Sequence, residues 1–203
     1  MFVDLLRDFD DSVSILDLGG TADFWAKHGD FLPRSLDVRV TVANRQPVTD
    51  AATERVSFVR ADARNLSQFG DEEFDLCFSN SVIEHVGSFD DQTRMAREIR
   101  RVATGHFVQT PNRYFPIEPH FLVPGWQFLP VGLRVAVLRR TSVGWMRRQA
   151  DPEIARGRVV GVRLLDRREF TALFPTSEIR VERVGPLVKS WIAVQPPPDS
   201  LTY

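Results

Sequence analysis

The sequence predicts one α/β domain: a seven-stranded, mostly parallel sheet with helices on both faces and an antiparallel strand at one edge. Three observations predict it. Over the first 110 residues, short apolar runs alternate with helix-type patterns, as parallel strands joined by crossover helices do. Near the C-terminus, two β-rich runs are separated only by Gly185-Pro186, so they pair antiparallel. The chain has 203 residues, 43% of them hydrophobic. That length suits one domain and buries roughly 70% of the unfolded surface without a disulfide or metal staple.

The elements run in order along the chain. Ser14–Gly20 is a buried strand running into a glycine pair, and Thr21 and Ala22 open a helix through Phe24, Trp25 and Ala26. Leu36–Ala43 is the second strand, bounded by Pro33 and by Asn44 and Pro47. Val56–Val59 is a short third, ending at Arg60-Ala61-Asp62. Phe74–Phe78 is the fourth, after the turn residues at 70–73. A helix runs from Ser88 to Ala103: Ser88 and Asp91 make a capping-box pair, and Met95, Ile99 and Val102 form its buried stripe. Gly105 ends it, and His106–Thr110 is the fifth strand. Residues 111–150 hold Pro111, Pro116, Pro119, Pro124 and Pro130 among many aromatics, which predicts an embedded, lid-like insertion with short regular structure. Asp166–Phe174 is a helix stopped by Pro175. Ser177–Val184 and Leu187–Val194 are the last two strands, and Pro196-Pro197-Pro198 cannot join a sheet.

Composition narrows the function. No apolar run approaches the ~20 residues of a membrane span, and the start lacks a basic, then apolar, leader. One cysteine, Cys77, excludes a disulfide framework and a thiolate cluster and reads as inert in its strand. The expected location is the cytoplasm. The net charge of −1 conceals asymmetry: residues 1–91 carry 18 acids against 8 bases, whereas residues 134–168 carry 10 arginines against three acids. That second stretch is a solvated face or one that meets an anion, a lipid headgroup or nucleic acid. With near-neutral overall balance and no RNA-binding module, nucleic acid ranks below a small molecule.

In an open α/β sheet, ligands sit beyond the carboxyl ends of the strands, near the switch in strand order. The residues there are Asp17, Gly19, Gly20 and Thr21 after the first strand, and Asn44, placed for ribose hydroxyls, after the second. Asp62 comes after the third, and Ser79, Asn80 and Ser81 after the fourth, with Glu84 and His85 close behind. Taken singly, each has a plain reading: Asp17 ties down backbone amides, Asp62 caps a short helix, and the glycines make a turn.

Taken together, ILDLGGT, VTVAN, VRADARNL and FDLCFSNSVIEHV resemble, in order and spacing, the nucleotide-binding segments of class I S-adenosylmethionine-dependent methyltransferases, methyltransferase type 11 group. FVQTPNRYFPIEPH resembles the strand-five region of bacterial members. The resemblance covers roughly residues 12–122 and implies a Rossmann-like fold, the cofactor S-adenosylmethionine and the product S-adenosylhomocysteine. It implies that Asp17 and Gly19 begin the loop contacting the methionine part. The family pattern's next two glycines are Thr21 and Asp23 here. Asn44 stands where an acid usually takes the ribose hydroxyls. Asp62 aligns with the acid that bonds the adenine amino group, with the Ala63 amide beside it. Ser79 and Asn80 fall at the methionine end and the transferred methyl.

Methyl transfer to a hydroxyl also needs a proton removed, and His85 is the candidate base. Asn112, Arg113, Tyr114 and His120 are the polar candidates for holding an acceptor. SVIEHV resembles a segment that binds a divalent ion in small-RNA 2′-O-methyltransferases and ubiquinone-pathway O-methyltransferases, with Ser81 where the first glutamate stands. The favoured expectation is no metal; the alternative is a site at Glu84, His85 and His120, with Glu118 near by. Residues 126–138 are apolar, with Pro130 inside the run, and are flanked by Arg139, Arg140, Arg147 and Arg148, so 126–148 offers a peripheral membrane or lipid contact. The leading function is methylation of a small or lipid-like acceptor, at oxygen before nitrogen or carbon. The alternative is an inactive methyltransferase fold serving as a cofactor-binding regulator or partner subunit. A nicotinamide enzyme needs G-x-G-x-x-G after the first strand, which Gly19-Gly20-Thr21-Ala22 does not supply.

Overall fold

Period-two alternation along the first strand sets the layers of the structure, a computed structural model that describes residues 2–21, 24–25, 36–46 and 53–198. In β1 (Ser12–Leu18), Val13 and Ile15 enter the core on one face and Leu16 and Leu18 that on the other, all four buried. A strand apolar on both sides belongs in the middle of a covered parallel sheet. β1 pairs in parallel with β2 (Asp37–Asn44) on one side and β4 (Phe74–Asn80) on the other. β3 (Val56–Arg60) lies outside β2, and β5 (Ala103–Pro111) outside β4.

The remaining strands are β6 (Glu178–Val184) and β7 (Leu187–Gln195), and the full order is β3-β2-β1-β4-β5-β7-β6. β7 runs antiparallel between β5 and β6, one place in from the edge. The expected seven strands and their mixed direction are all present. The sequence order reverses between β1 and β4, which fixes where a ligand-sized crevice opens.

The N-terminal segment, α1 (Phe2–Leu5) and the turn Leu6–Asp8, buries Leu5 and Leu6, which join Trp25 against Ile15, Phe78 and Phe107. α2 (Phe89–Val102) starts at the predicted cap: Ser88 Oγ accepts from the Asp91 amide, and the Asp91 carboxylate accepts from the Ser88 amide. Its Met95, Ala96, Ile99 and Val102 pack on Leu16, Leu18 and Cys77 on the opposite sheet face. The expected helix through Ala26, and the bounding Pro33 and Pro47, lie outside the described residues.

The insertion between β5 and the late helix has its own small core. α3 (Val131–Arg140) and α4 (Pro152–Val160) enclose Phe121, Trp126, Leu138, Val143, Ala155 and Val159. Pro130 does not break the apolar run 126–138; it stands at the N-cap of α3, where the missing amide hydrogen costs nothing. α5 (Arg167–Leu173) comes next, capped by Asp166 and Glu169 reciprocally. Among the described residues, no helix is long and apolar enough to cross a membrane.

Candidate functional site

The first turn after β1 is built on a buried carboxylate. Asp17 is 1% exposed, and its Oδ2 accepts the Trp25 indole N–H at 2.6 Å. Burial pushes its pKa up to about 7, against the pull of the indole. A Cβ on Gly20 would stand 1.8 Å from Asp17 Oδ2, so the second glycine is fixed by what lies beneath it. Gly19 has φ +79°, and a Cβ there would meet the Val82 side chain at 2.6 Å. Thr21 Oγ1 accepts from the Phe24 amide at 3.3 Å, a local bond that steers the chain toward Trp25.

Two clefts flank Gly19. One, about 170 Å³, is lined by Asp17, Gly20, Thr21, Phe24, Phe78 and Asn80. The other, about 220 Å³, is lined by Ala43, Asn44, Asp62, Ala63, Val82 and His85 among others. Eight of the nine residues expected to hold the cofactor thus reach one groove from four strand ends, and Gly19 lines both clefts. Asp62 is also engaged structurally. Its Oδ1 accepts from the Arg64 amide and Nε, and Oδ2 accepts Arg64 NH2 at 2.6 Å. These bonds hold its pKa below the usual range, so it stays a charged acceptor. Arg64 reaches on to Asp91 at 3.2 Å and ties this loop to the start of α2. Asn44 donates to Gly20 O at 3.3 Å.

The exception is Ser79. Its side chain is fully buried without a hydrogen-bond partner among the described residues and lines neither cleft. The reason is parity: Phe78 and Asn80 face the groove side, so Ser79, like Cys77, points toward α2. Cys77 is fully buried and burial pushes its thiol up, in keeping with an inert role.

Beside the cleft lined by Asp17 and Asn80 lies a larger apolar cavity of about 760 Å³. Phe78 and Asn80 line both spaces. Phe2, Phe107 and Ile192 supply apolar wall, and Phe115, Ile117 and Leu122 of the insertion close it. Among its polar groups, half-exposed Lys189 donates through Nζ to Glu182 at 2.8 Å, and buried Ser190 donates through Oγ to the same carboxylate. This wall was not legible in the sequence. Phe2 and Ile192 stand at opposite ends of the chain, and only strand pairing joins them.

The polar acceptor candidates do not meet in that cavity. Asn112 is buried and structural, donating to Val188 O and accepting from the Tyr114 amide. Tyr114 is exposed and stacks on Phe128. Arg113 lines a separate polar cavity. The apolar neighbours in the same loop face the cavity instead.

His120 belongs to a fourth feature. Its Nδ1 lies 2.6 Å from buried Glu118 and its Nε2 3.0 Å from His85 Nε2. Burial lowers His120, but the bond to Glu118 and the charges of Glu118 and Glu84 lift it above its ordinary value. Burial and His120 together lower His85. Glu84 is fully buried; Oε2 accepts from Thr110 Oγ1 at 3.0 Å, while Oε1 has no partner among the described residues. Burial pushes its pKa up to about 7. Ligand-type atoms of Glu84, His85 and His120 lie within 4.8 Å of one another. The left-handed turn at Ser81, φ 56°, folds the chain back to bring Glu84 here.

Comparison with known proteins adds three findings. A family model described as a methyltransferase domain matches residues 25–107. An uncharacterised protein of Mycobacterium tuberculosis is 35% identical over 74 residues, 36% of this chain and 25% of its own length. The chain thus spans about a quarter of the length of the curated relatives it matches. Among solved structures, a SAM-dependent methyltransferase from Aquifex aeolicus has a TM-score of 0.50 at 13% identity, over 94% of this chain and 87% of that one. An O-methyltransferase family protein from Burkholderia thailandensis has a TM-score of 0.56 at 12% identity, over 97% and 56%. At such identities the two structures speak for the fold.

Proposed function

We propose that the chain is a class I S-adenosylmethionine-dependent methyltransferase that methylates a small, largely apolar acceptor, at oxygen. The observation that carries this reading is the apolar cavity sharing Phe78 and Asn80 with the methionine-end cleft. Its 760 Å³ is within the size of small-molecule sites, and its wall is mostly apolar.

The groove fits the cofactor. Two glycine positions that admit no side chain let the backbone approach a ligand, and charged Asp62 and the Asn44 amide offer acceptors at the nucleoside end. When bound, the cofactor supplies a sulfonium-activated methyl group. The protein positions the acceptor and keeps water out. Asn80, at the junction of the two spaces, orients the reacting end, and the aromatic wall excludes water. His85, the base expected from the sequence, is lowered below its ordinary value and so is neutral at pH 7. It lines the nucleoside-side cleft rather than the apolar cavity, so the geometry favours a role at the cofactor over proton removal from an acceptor held there.

The test is titration with S-adenosylhomocysteine, then a labelled-methyl assay on apolar hydroxyl compounds. Asp62→Ala should weaken the homocysteine ligand about tenfold or more, one lost charge-assisted contact. Ile192→Trp should fill the cavity and remove turnover while leaving that affinity unchanged. His85→Ala, in the wall of the nucleoside-side cleft, should weaken S-adenosylhomocysteine about tenfold and leave kcat of the loaded enzyme within a few-fold. Cofactor binding with no turnover on any acceptor class would favour the regulator or partner-subunit alternative.

One observation favours a second reading, a divalent cation at Glu84, His85 and His120. The unpartnered, buried Glu84 Oε1 faces two imidazoles, and Glu118 orients His120 as carboxylates orient metal-bound histidines. Two imidazoles and a carboxylate suit borderline Zn²⁺ and also admit the harder Mn²⁺, either of which would supply Lewis acidity there. The expected result is a rise in Tm with added Zn²⁺ or Mn²⁺ that Glu84→Gln abolishes. Equal shifts in wild type and variant would sink the reading.

A further inference from the structure

The cavity that Arg113 lines, about 230 Å³, is separate from both the cofactor groove and the apolar cavity and shares no lining residue with them. Its polar wall is Arg113, Glu118, Trp126, Gln127, Arg134 and Arg163. The charge there is unbalanced. Arg163 is paired with Glu169 and bonded to Gln92. The Glu118 carboxylate is taken up by the His120 ring and by the His120 and Phe121 amides. Arg113 and Arg134 make no ion pair among the described residues. Burial lowers the pKa of Arg134, with the charge of Glu118 opposing, yet a guanidinium remains protonated.

A second, independent observation lies in the same wall. Trp126 Nε1, Gln127 Oε1 and Arg134 Nε are buried with no hydrogen-bond partner among the described residues. Trp126 is 2% exposed. Gln127 cannot turn to relieve the two donors, because its Nε2 is held by Arg113 O and Phe115 O at 3.0 and 2.8 Å. Two buried N–H donors without an acceptor are costly, and an apolar ligand would leave them so. A cation would add to the surplus positive charge. A compact oxyanion answers both deficits, since guanidinium groups bond phosphate-type oxygens in charge-assisted pairs.

We propose that this cavity binds a phosphate-type oxyanion, held by Arg113 and Arg134 with the Trp126 indole as a further donor. The inference does not rest on the methyltransferase reading. Glu118 lines the cavity and also holds His120, so an anion here acts on the support of the histidine pair. The phosphate has two candidate sources, a soluble phosphomonoester or a lipid headgroup.

The experiment is titration of the ¹⁵N-labelled full chain with inorganic phosphate at constant ionic strength, observing the Trp126 indole N–H, assigned by its loss in Trp126→Phe. The expected result is a saturable shift. Arg113→Gln and Arg134→Gln should each weaken it about tenfold. Arg168→Gln, on the exposed side of α5, should leave it unchanged. A thermal melt and the ¹H–¹⁵N spectrum of each variant establish folding, and exposed Arg113 serves if Arg134→Gln does not fold. Glycerol 3-phosphate and phosphatidylcholine vesicles with or without phosphatidic acid then separate the sources. Binding of either with the same Arg113 and Arg134 dependence supports the site and names the source. An unmoved indole, or vesicle binding as sensitive to Arg168→Gln as to Arg134→Gln, overturns it in favour of diffuse surface charge.

Discussion

Replacing Gly20 with alanine should cost the protein about 2–4 kcal/mol of stability and nearly all of its cofactor affinity. The new methyl carbon would stand 1.8 Å from Asp17 Oδ2 and 2.4 Å from its Cγ. A flexible surface side chain would swing aside, but this carboxylate is 1% exposed and pinned by the Trp25 indole at 2.6 Å. The turn must therefore open, or the indole bond must break and leave a buried acid unsatisfied. For a domain of this size the loss corresponds to a drop in Tm of roughly 4–16 °C. Because the same turn carries Gly19, affinity for S-adenosylhomocysteine should fall at least ~100-fold, about 2.7 kcal/mol. Asp17→Ala in the Gly20→Ala background removes the obstruction. The double variant should thus be more stable than the sum of the single losses by at least ~1 kcal/mol. A Gly20→Ala protein melting within ~2 °C of wild type would show that the turn is plastic.

Asp17 also makes stability depend on pH in the direction opposite to most carboxylates. In the folded protein it titrates near 7, against 3.8 for a free side chain. Between about pH 4 and 7 the folded state holds a proton that the unfolded chain has already released. Stability from this group therefore falls as pH rises through that window and levels off above it. A shift of this size amounts to at most about 4 kcal/mol. Asp17→Asn keeps an oxygen for the indole and removes the titration. Urea unfolding at pH 5 and pH 8 should show a loss in wild type that exceeds the variant's by about 2–3 kcal/mol. At pH 8 the ligand-free variant should be the more stable protein and the poorer cofactor binder. Parallel pH profiles would mean that the carboxyl is solvated in solution.

The parallel sheet was legible because its signals are local. Alternation and apolar runs located every strand to within a few residues, and the Ser88–Asp91 pair marked the start of α2 to the residue. The groove was legible for a related reason: strand ends are fixed by the strands, so Asp17, Asn44 and Asp62 converge once the sheet forms. Ser79 was misjudged because a strand end offers two faces, and a linear motif does not say which one a residue takes. The acceptor wall was not legible at all. Asn112 and Tyr114 carry polar groups that suggest recognition, but the backbone of the insertion absorbs the first and solvent the second. The meeting of His85 with His120 depends on a left-handed residue at Ser81, which no residue-type preference marks.

β7, seated between β5 and β6, ties the second half of the site to the order of synthesis. The residues of the groove around Gly19 lie between Asp17 and Val86, so they leave the ribosome early. The acceptor cavity lacks a wall until Lys189, Ser190 and Ile192 have left the ribosome and β7 has inserted beside β5. Synthesis from the N-terminus thus releases every residue of the groove before the last wall of the cavity exists. A cofactor captured at that stage would tie β1, β2 and β4 together at their ends while the final strand is still being made, and so act as a scaffold for its docking.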